Sequence, residues 1–355
     1  MDVLEGAHCV VAFVINSDEW DFNGLDVVSV SLKLEQILER IYVARERSEP
    51  IYVGNDLQSR NVSEDKDLWT FLYDTSMEEM DRGIIDELSA FLAQAEYYES
   101  NDSTWPPGFP TTEVTDANSN ILGLDLTFAH LHIKSHSPYA CLTVTKQSEI
   151  KSYSTLGMAK INMIHDEDGH IDFWRNSALA ITRDTAQNLE KLSSSMYPNL
   201  YFSENVWRGI NDFDGGYART SRQLQKYLSA LDDYGAWIFT EPPPAEHPTD
   251  TVQSNSNESP SNELIEKRFA SVGLTMAPEK PDVRQDGKCY RARLIDFHSG
   301  SIDDKPLKLY CEWHGKLELH INRIHIHPPI DESGNRVIIA IYHRHLPLPH
   351  DKNKK

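Results

Sequence analysis

A proline-rich, polar stretch between residues 241 and 262 constrains the folding of this chain more than any other feature. It begins with Glu241 and three prolines and continues in runs of Thr, Ser, Asn, Gln and Glu as far as Asn262. Such a segment has too few apolar side chains to bury a core and is typical of a flexible linker. The 355 residues are also too many for one ordinary core. We therefore expect a body over residues 1–240, with a weaker sub-boundary near residues 99–120, and a separate module over residues 263–355.

Charge is divided unevenly across this linker. The net charge is −21; residues 263–355 contribute +3, from 16 basic and 13 acidic residues, and residues 1–262 contribute −24. Eight of the 15 histidines lie in the C-terminal module. An acidic body repels nucleic acid and anionic membranes, whereas the C-terminal module need not. DNA binding by the body and membrane partners are therefore not expected, which leaves RNA or a protein as the partner.

The order of the first elements indicates an α/β start. A buried strand is expected over Val10–Ile15, an amphipathic helix over Ser29–Arg47 and a second strand over Ile51–Val53. The C-terminal module shows mainly strand patterns, at residues 307–310, 316–320, 323–327 and 336–345. The predicted fold class is α/β or α+β, with a mixed-sheet N-terminal body and a small β-rich C-terminal module.

Two shorter patterns also predict strands in the body. Residues 160–164 and 170–174 alternate in polarity around Asp166-Glu167-Asp168-Gly169, which favours a hairpin with an Asp-Gly turn. The apolar run 237–239 reads as one more strand, after a helix expected over residues 220–233. The stretch 124–133 fits helix and strand equally well.

Polar side chains follow the first predicted strand. Asn16, Asp18 and Glu19 stand at its carboxyl end, where α/β proteins often place ligands. Two carboxylates there could bind a divalent cation or transfer protons. Ordinary turn residues also gather at strand ends, so a structural interpretation stays open.

The cysteines indicate the compartment. Cys9, Cys141, Cys289 and Cys311 are far apart and form no CxxC pair, unlike the framework of a disulfide-rich secreted domain. Free thiols in a reducing compartment fit better. No run approaches the roughly 18 apolar residues of a membrane span. We therefore expect the chain to reside in the cytoplasm.

A histidine-rich hairpin is the most distinctive feature of the C-terminal module. Gly334-Asn335 lies between two β-branched runs and is a natural hairpin turn. A turn centred near Ser333 places His325 opposite Ile341 and Arg323 opposite His343. Strand alternation then puts one set on a common face: Arg323, His325, His327, His343 and His345. The other face, which we expect to pack on the core of the module, carries Ile324, Ile326, Ile338, Ala340 and Tyr342.

Two of three interpretations of this face need no catalysis. In the first, the histidines are simply part of a solvated sheet. In the second they bind a metal, since imidazole suits zinc and other late divalent ions. Cys311 and His314 form a C-x2-H pair, and His327 and His345 complete the candidate zinc ligands. No spacing matches a familiar zinc module, and no cofactor other than zinc is indicated.

The third interpretation is proton transfer on an anionic substrate. Histidine both accepts and donates protons near neutral pH, while lysine and arginine hold phosphate groups. The candidate catalytic residues are His325, His343, Lys316, Arg323 and Arg344. Such a set suits metal-independent RNA cleavage, because the 2′-hydroxyl of RNA is itself the nucleophile.

The strands between Cys311 and Pro347 resemble the compact β-sheet of RelE/ParE-like toxins, which belong to bacterial toxin–antitoxin and defence proteins. Arg323-Ile324-His325 lies on one strand, and Val337-Ile338-Ile339 leads to His345-Leu346-Pro347 on another. This resemblance covers the C-terminal module and none of the acidic body. It implies RNA cleavage by Lys, Arg, His or Tyr groups without a metal, and it does not identify the residue that acts.

Two functional hypotheses follow. In the first, the C-terminal module of a toxin-like or defence protein binds or cleaves RNA, or another phosphate-bearing ligand. The acidic body would then cover the basic face and restrain it. In the alternative, the chain is a non-catalytic interaction protein. Its acidic body docks a basic partner, and the histidine cluster is structural or binds metal.

Overall fold

The computed structural model describes residues 11–98, 105–106, 113–240, 260–298 and 305–349. Residues 241–259 of the expected linker, much of the 99–120 sub-boundary and Cys9 lie outside the described residues. Backbone packing divides the chain into two compact units, Met1–Asp184 (unit 1) and Thr185–Lys355 (unit 2). This division falls inside the expected body, so residues 185–240 fold with the C-terminal strands.

Unit 1 alternates strands and helices. Its described strands are β1 (Ala12–Ile15), β2 (Ile51–Gly54), β3 (Asn61–Ser63), β4 (Lys66–Asp67), β5 (Glu96–Tyr98), β6 (Tyr139–Leu142), β7 (Glu149–Ser154) and β8 (Gly157–Ile164). Its described helices are α1 (Val27–Glu46), α2 (Leu68–Leu72), α3 (Arg82–Leu92), α4 (Leu124–Lys134), α5 (Glu167–Asp172) and α6 (Ala178–Ile181).

The main sheet of unit 1 is mixed. Among the described strands its order is β5-β2-β1-β6-β8-β7, and only the edge strand β7 runs antiparallel to its neighbour. Phe13 pairs with Ile51 in the parallel β1–β2 ladder, so the expected α/β start with parallel strands is confirmed. The strand order reverses between β1 and β6, the position where open α/β sheets commonly bind ligands.

Helix α4 packs on this sheet and explains the ambiguous pattern of residues 124–133. Every residue from Asp125 to His132 is buried. A helix that is buried all round has no polar face, so its sequence lacks the 3.6-residue period. Phe128 stacks on Tyr98 at a ring-centroid distance of 4.4 Å, at the centre of the core cluster.

The predicted hairpin over residues 160–174 is wrong in its second half. Residues 160–164 do belong to β8, but α5 and a π-helix (Phe173–Ser177) follow instead of a strand. Asp166 is the N-cap of α5, because its Oδ1 accepts a hydrogen bond of 2.8 Å from the Gly169 N–H. An acidic N-cap followed by Glu167 and Asp168 stabilises a helix start, and this signal outweighs the Asp-Gly turn.

Unit 2 combines helices with short strands. Its described helices are α7 (Ala186–Met196), α8 (Gly216–Ile238), α9 (Asn262–Ser271), α10 (Pro281–Gln285) and α11 (Gly287–Arg291). Its described strands are β9 (Leu200–Phe202), β10 (Met276–Pro278), β11 (Leu294–Phe297), β12 (Leu307–Tyr310), β13 (Trp313–Lys316), β14 (Arg323–His327) and β15 (Val337–His343).

A five-stranded sheet organises the described part of unit 2. Its order is β10-β13-β14-β15-β9, antiparallel except for the β9–β15 pair, and β11 and β12 form a separate ladder. The predicted mixed α/β fold with a β-rich C-terminal region is confirmed. None of the described helices has both the length and the apolar character needed to cross a membrane.

Helix α8 covers one face of this sheet. The hydroxyl of Tyr227 lies 3.1 Å from the carbonyl oxygens of Thr275 and Lys316. Gly315 permits this approach, because a Cβ there would lie 2.4 Å from the Tyr227 ring. The strand predicted over residues 237–239 is wrong, since Trp237 and Ile238 form the last turn of α8. Its apolar side chains pack as part of a long amphipathic helix.

Candidate functional site

Three antiparallel strands bring the histidines of unit 2 into register. His314 on β13 pairs with His325 on β14, and Lys316 pairs with Arg323. Arg323 in turn lies opposite His343 on β15, and His325 opposite Ile341, so the predicted register is confirmed for these pairs and is wrong by one residue from Ile326 onwards. Side chains that are directly opposite share one face of the sheet.

The middle of β14 is covered on both faces. Ile324, His325 and Ile326 are all buried, and His325 has no exposed surface. A bulge between His325 and Ile326 shifts the register, so that His327 pairs with Ile338. At His325, the histidine-bearing face is therefore not exposed to solvent. It packs against the segments that carry Glu279 and Arg293.

Glu279 is the buried carboxylate of this face. It directly follows β10, and its backbone N–H donates to the Glu312 carbonyl at 2.9 Å. Its Oε1 accepts a hydrogen bond of 2.6 Å from Nε of Arg293. Arg293 Nη1 also donates to the carbonyls of Cys289 and Pro347, at 3.0 and 3.2 Å. The Arg293 guanidinium is therefore held by one carboxylate and two backbone groups.

Two histidines adjoin this ion pair. Nδ1 of His314 is 3.5 Å and Nδ1 of His325 is 3.9 Å from Oε1 of Glu279. Burial lowers the pKa of His314 to about 4, although Glu279 partly opposes the shift. Burial also lowers the pKa of His325 well below its ordinary value, and the nearby cations add to the effect. Both rings are therefore neutral at pH 7.

These imidazoles are poorly hydrogen-bonded for groups so deeply placed. Within the described ranges, neither ring nitrogen of His325 nor Nδ1 of His314 has a hydrogen-bond partner of normal geometry. The backbone of Cys311 comes close enough to His325 to raise its pKa slightly against the other effects. Buried polar nitrogens normally have partners, so unsatisfied ones beside a cavity point to a ligand or to a transfer role.

A cavity of about 370 Å³ opens beside this cluster. Its titratable lining is mainly basic, with Lys280, Arg293, Lys316 and Arg323 against the carboxylates Glu279 and Asp282. His314 and His345 also line it. The cavity is within the size range of pockets that hold small ligands, and its charge favours an anion.

Lys316 and Arg323 form the charged edge of this cavity. They lie directly opposite on neighbouring strands, an arrangement of like charges that destabilises a sheet. Nε of Arg323 is buried and has no hydrogen-bond partner in the described part of the chain. The adjacent carboxylate, Glu279, is already bonded to Arg293. An anion bound between Lys316 and Arg323 would supply the missing negative charge.

His345 has a defined ring orientation at this cavity. Its Nδ1 lies 2.8 Å from the Leu346 carbonyl oxygen, which can only accept, so Nδ1 of the neutral ring carries the proton. Nε2 is then the acceptor nitrogen. The backbone N–H of His345 donates to Nδ1 of His343 at 2.9 Å. This tautomer suits a proton-accepting role at the cavity.

The structure does not bring all five predicted catalytic residues together. Nε2 of His343 lies 3.8 Å from Asp212, and His343 lines a different cavity of about 610 Å³. Nη2 of Arg344 lies 3.3 Å from Asp214. Lys316 and Arg323 line the basic cavity, and His325 lies buried beside Glu279. Alternation correctly pairs Arg323 with His343 but cannot show which cavity each side chain faces.

The candidate zinc ligands are also dispersed. Cys311 is fully buried, and burial raises the pKa of its thiol to about 12. Nδ1 of His327 lies 2.8 Å from the Pro328 carbonyl oxygen. His314 and His345 line the basic cavity. Across the ranges that the structure covers, no group of three or more His, Cys, Asp or Glu side chains is arranged to hold a metal ion.

The strand-end cluster of unit 1 proves to be an internal network at Glu19. This buried carboxylate accepts hydrogen bonds from the Thr143 hydroxyl, from the Val144 N–H at 3.1 Å and from the Thr145 hydroxyl at 3.3 Å. Lys33 lies 3.7 Å away. Glu19 thereby ties the ends of β1 and β6 together at the point where the strand order reverses. The side chain of Asp18 lies outside the described residues.

Glu279 and Arg293 were not among the residues predicted from sequence. They are 14 positions apart and flank two short helices, so neither strand alternation nor a motif links them. Only the antiparallel pairing of β10 with β13 brings Glu279 next to the histidine face. Comparison with protein-family models, with curated proteins and with solved structures finds no match for this chain.

Proposed function

We propose that unit 2 binds a phosphate-bearing ligand, in the first instance RNA, in the cavity edged by Lys316 and Arg323. One observation carries this proposal. Two cations face each other across neighbouring strands, and the buried carboxylate beside them is committed to Arg293. The titratable lining of the cavity supports the same ligand class, because four of its side chains are basic and two are acidic.

The chemistry of the two cations fits a phosphate. The planar guanidinium of Arg323 can donate two parallel hydrogen bonds to phosphate oxygens, and the ammonium of Lys316 adds a point charge. Arg323 is half-buried, so its attraction to an anion is screened less than at an open surface. The neutral ring of His314 lines the cavity without adding positive charge, whereas His325 is fully buried behind it.

RNA cleavage is a second candidate, favoured by the orientation of His345. With Nδ1 protonated, Nε2 can remove the proton from a ribose 2′-hydroxyl. The 2′-oxygen would attack the adjacent phosphorus and form a 2′,3′-cyclic phosphate. The bond to the 5′-oxygen would break, and that oxygen would take a proton from water. Lys316 and Arg323 would stabilise the charge that develops on the phosphate.

Binding is tested with full-length protein and a short fluorescent single-stranded RNA over a range of salt concentrations. The double variant Lys316→Gln/Arg323→Gln should raise the dissociation constant about tenfold or more. It should also reduce the slope of the logarithm of the binding constant against the logarithm of salt concentration by about one to two. Lys267→Gln is the control, because Lys267 is an exposed lysine on α9 that pairs with Glu263. If the double variant bound RNA as the control does, the proposal would be wrong.

Cleavage is tested separately, with the same RNA followed by gel electrophoresis. His345→Gln should abolish cleavage while RNA still binds, because Lys316 and Arg323 are unchanged. Wild-type protein that binds the RNA and leaves it intact would rule out cleavage and leave the binding proposal standing.

A further inference from the structure

Helix α1 of unit 1 carries two lengthwise stripes. One is buried and includes Val30, Leu34, Ile37, Leu38, Ile41 and Ala44. The other is exposed and follows the 4-3 spacing of a helix that packs on another helix: Val28, Leu32, Glu35, Glu39, Tyr42 and Glu46. Val28, Leu32 and Tyr42 are 71%, 54% and 61% exposed, which is high for large apolar side chains.

Four residues of this stripe line a groove between α1 and α3, namely Glu35, Glu39, Tyr42 and Glu46, and Val28 and Leu32 continue the stripe towards the start of the helix. The groove has a volume of about 780 Å³, and its apolar floor includes Leu38, Ile41, Ile84 and Phe91. Ala90 is an exposed, small residue on the α3 side, so a partner backbone can approach closely there. The lining spans three turns of α1, which matches the contact length of a short docked helix.

Acidic side chains dominate the edge of this groove. Glu35, Glu39, Glu46 and Glu87 line it, with Arg45 as the basic residue among its lining. Arg45 is held by a hydrogen bond to Gln94. These carboxylates would repel nucleic acid and anionic lipid. A partner with an apolar stripe and flanking lysines or arginines satisfies both the floor and the edge.

We infer that the α1–α3 groove binds an amphipathic helix of a partner protein, with an apolar stripe flanked by basic residues. Two features of this region support the inference. The exposed stripe of α1 has helix-packing spacing, and the groove it borders combines an apolar floor with four carboxylates. This interaction is separate from the ligand proposed for unit 2.

The test uses the full-length chain and two synthetic helical peptides with the same heptad stripe of leucines. One peptide has lysine at the flanking positions and the other has glutamate. The lysine peptide should bind about tenfold tighter or more, measured by fluorescence anisotropy. Glu35→Lys/Glu87→Lys should weaken its binding about tenfold. The control Glu78→Lys/Glu79→Lys makes the same charge change at exposed positions outside the groove and should have less than about a twofold effect.

A second variant tests the apolar contribution. Leu32→Gln/Tyr42→Gln leaves the net charge unchanged and should also weaken binding of the lysine peptide about tenfold. Three results would overturn the inference. These are no detectable binding of the lysine peptide, equal weakening by the control pair, or binding that appears only after deletion of residues 350–355. The last result would identify the basic tail of this chain as the occupant.

Discussion

The two units stabilise buried polar side chains by different means. In unit 1, the ring nitrogens of His130 lie 2.8 Å from the hydroxyls of Ser152 and Ser154. In unit 2, Glu279 is bonded to a buried arginine, and the two adjoining imidazoles retain unpaired nitrogens within the described ranges. At His130, neutral partners thus complete both bonds of the ring, whereas the Glu279–Arg293 cluster concentrates charge beside ring nitrogens that have no partner among the described residues.

This difference shows which property marks a candidate site. Burial lowers the pKa of His130 and of His314 alike to about 4, so the pKa alone does not separate them. The two rings differ in their hydrogen-bond partners, because both nitrogens of His130 have one and Nδ1 of His314 has none among the described residues. In unit 1, the ring nitrogens of His170 also have no partner among the described residues, but this ring lies among aromatic side chains and not beside an ion pair. Its ring packs against the rings of Phe13 and Trp174, at centroid distances of 5.4 and 4.8 Å.

The largest expected effect comes from removing a buried carboxylate in each unit. Glu279→Leu leaves the Arg293 guanidinium buried without its counter-charge and should lower the free energy of unfolding by about 3–5 kcal/mol. Glu19→Leu removes an acceptor from three neutral groups and the counter-charge of the partly exposed Lys33, and should cost less, about 1–3 kcal/mol. Urea denaturation measures both.

The double variant Glu279→Leu/Arg293→Leu is the matched control. It removes both charges and should recover much of the lost stability, because no unpaired charge remains. A loss from Glu19→Leu as large as that from Glu279→Leu would contradict the contrast between the units.

The pH dependence of stability should have an intermediate effect. His314 titrates near its ordinary pKa of about 6.5 when unfolded and near 4 when folded. Between these values the unfolded chain binds a proton that the folded chain does not. Stability is therefore retained above pH 6.5 and falls as the pH drops towards 4, by about 3 kcal/mol in total.

Variants at His314 and His130 measure this contribution. The slope of the unfolding free energy against pH measures the number of protons taken up on unfolding. Between pH 6.5 and 4, His314→Gln should reduce this number by up to one. His130→Gln should reduce it by a similar amount, because burial lowers its pKa to about 4 as well. An unchanged slope in His314→Gln would show that this ring is already accessible to protons in the folded state.

The smallest difference in unfolding free energy is expected between two leucine substitutions, one in each unit. His130→Leu removes the partner of one buried and one half-buried hydroxyl and should destabilise unit 1 by about 2 kcal/mol. His325→Leu removes a ring that has no hydrogen-bond partner of normal geometry among the described residues. Its cost should therefore stay below about 1 kcal/mol, measured by thermal unfolding. A larger cost for His325→Leu would mean that its nitrogens do have a structural partner.

Local patterns predicted the pairing of β14 with β15 near Arg323 better than they predicted burial. A turn centred near Ser333 pairs Arg323 with His343, because a turn and side-chain alternation fix an antiparallel register. The burial of His325 depends on Arg293 and Glu279, which arrive from a distant segment. A polar residue in an alternating strand normally indicates the face exposed to solvent. The local pattern therefore predicts an exposed His325, whereas tertiary packing buries it.

The division of the chain shows a similar limit. Composition predicts a domain boundary at the polar stretch 241–262, whereas backbone packing separates the two compact units between Asp184 and Thr185. The helix α8 and the strand β9 precede that stretch but pack with β15 after it. No composition shift marks residue 184, because both sides of it are ordinary folded sequence.

The parallel pairing of β9 with β15 has a consequence for biosynthesis. The hydroxyl of Ser203 donates to the carbonyl of Ala340, a residue 137 positions later in the chain. Contacts between such distant positions slow folding, and this one cannot form until residue 340 has left the ribosome. A fragment that starts at residue 263 lacks β9, so the backbone of β15 would be an open edge. Such an edge recruits strands from other copies, and the isolated fragment should aggregate.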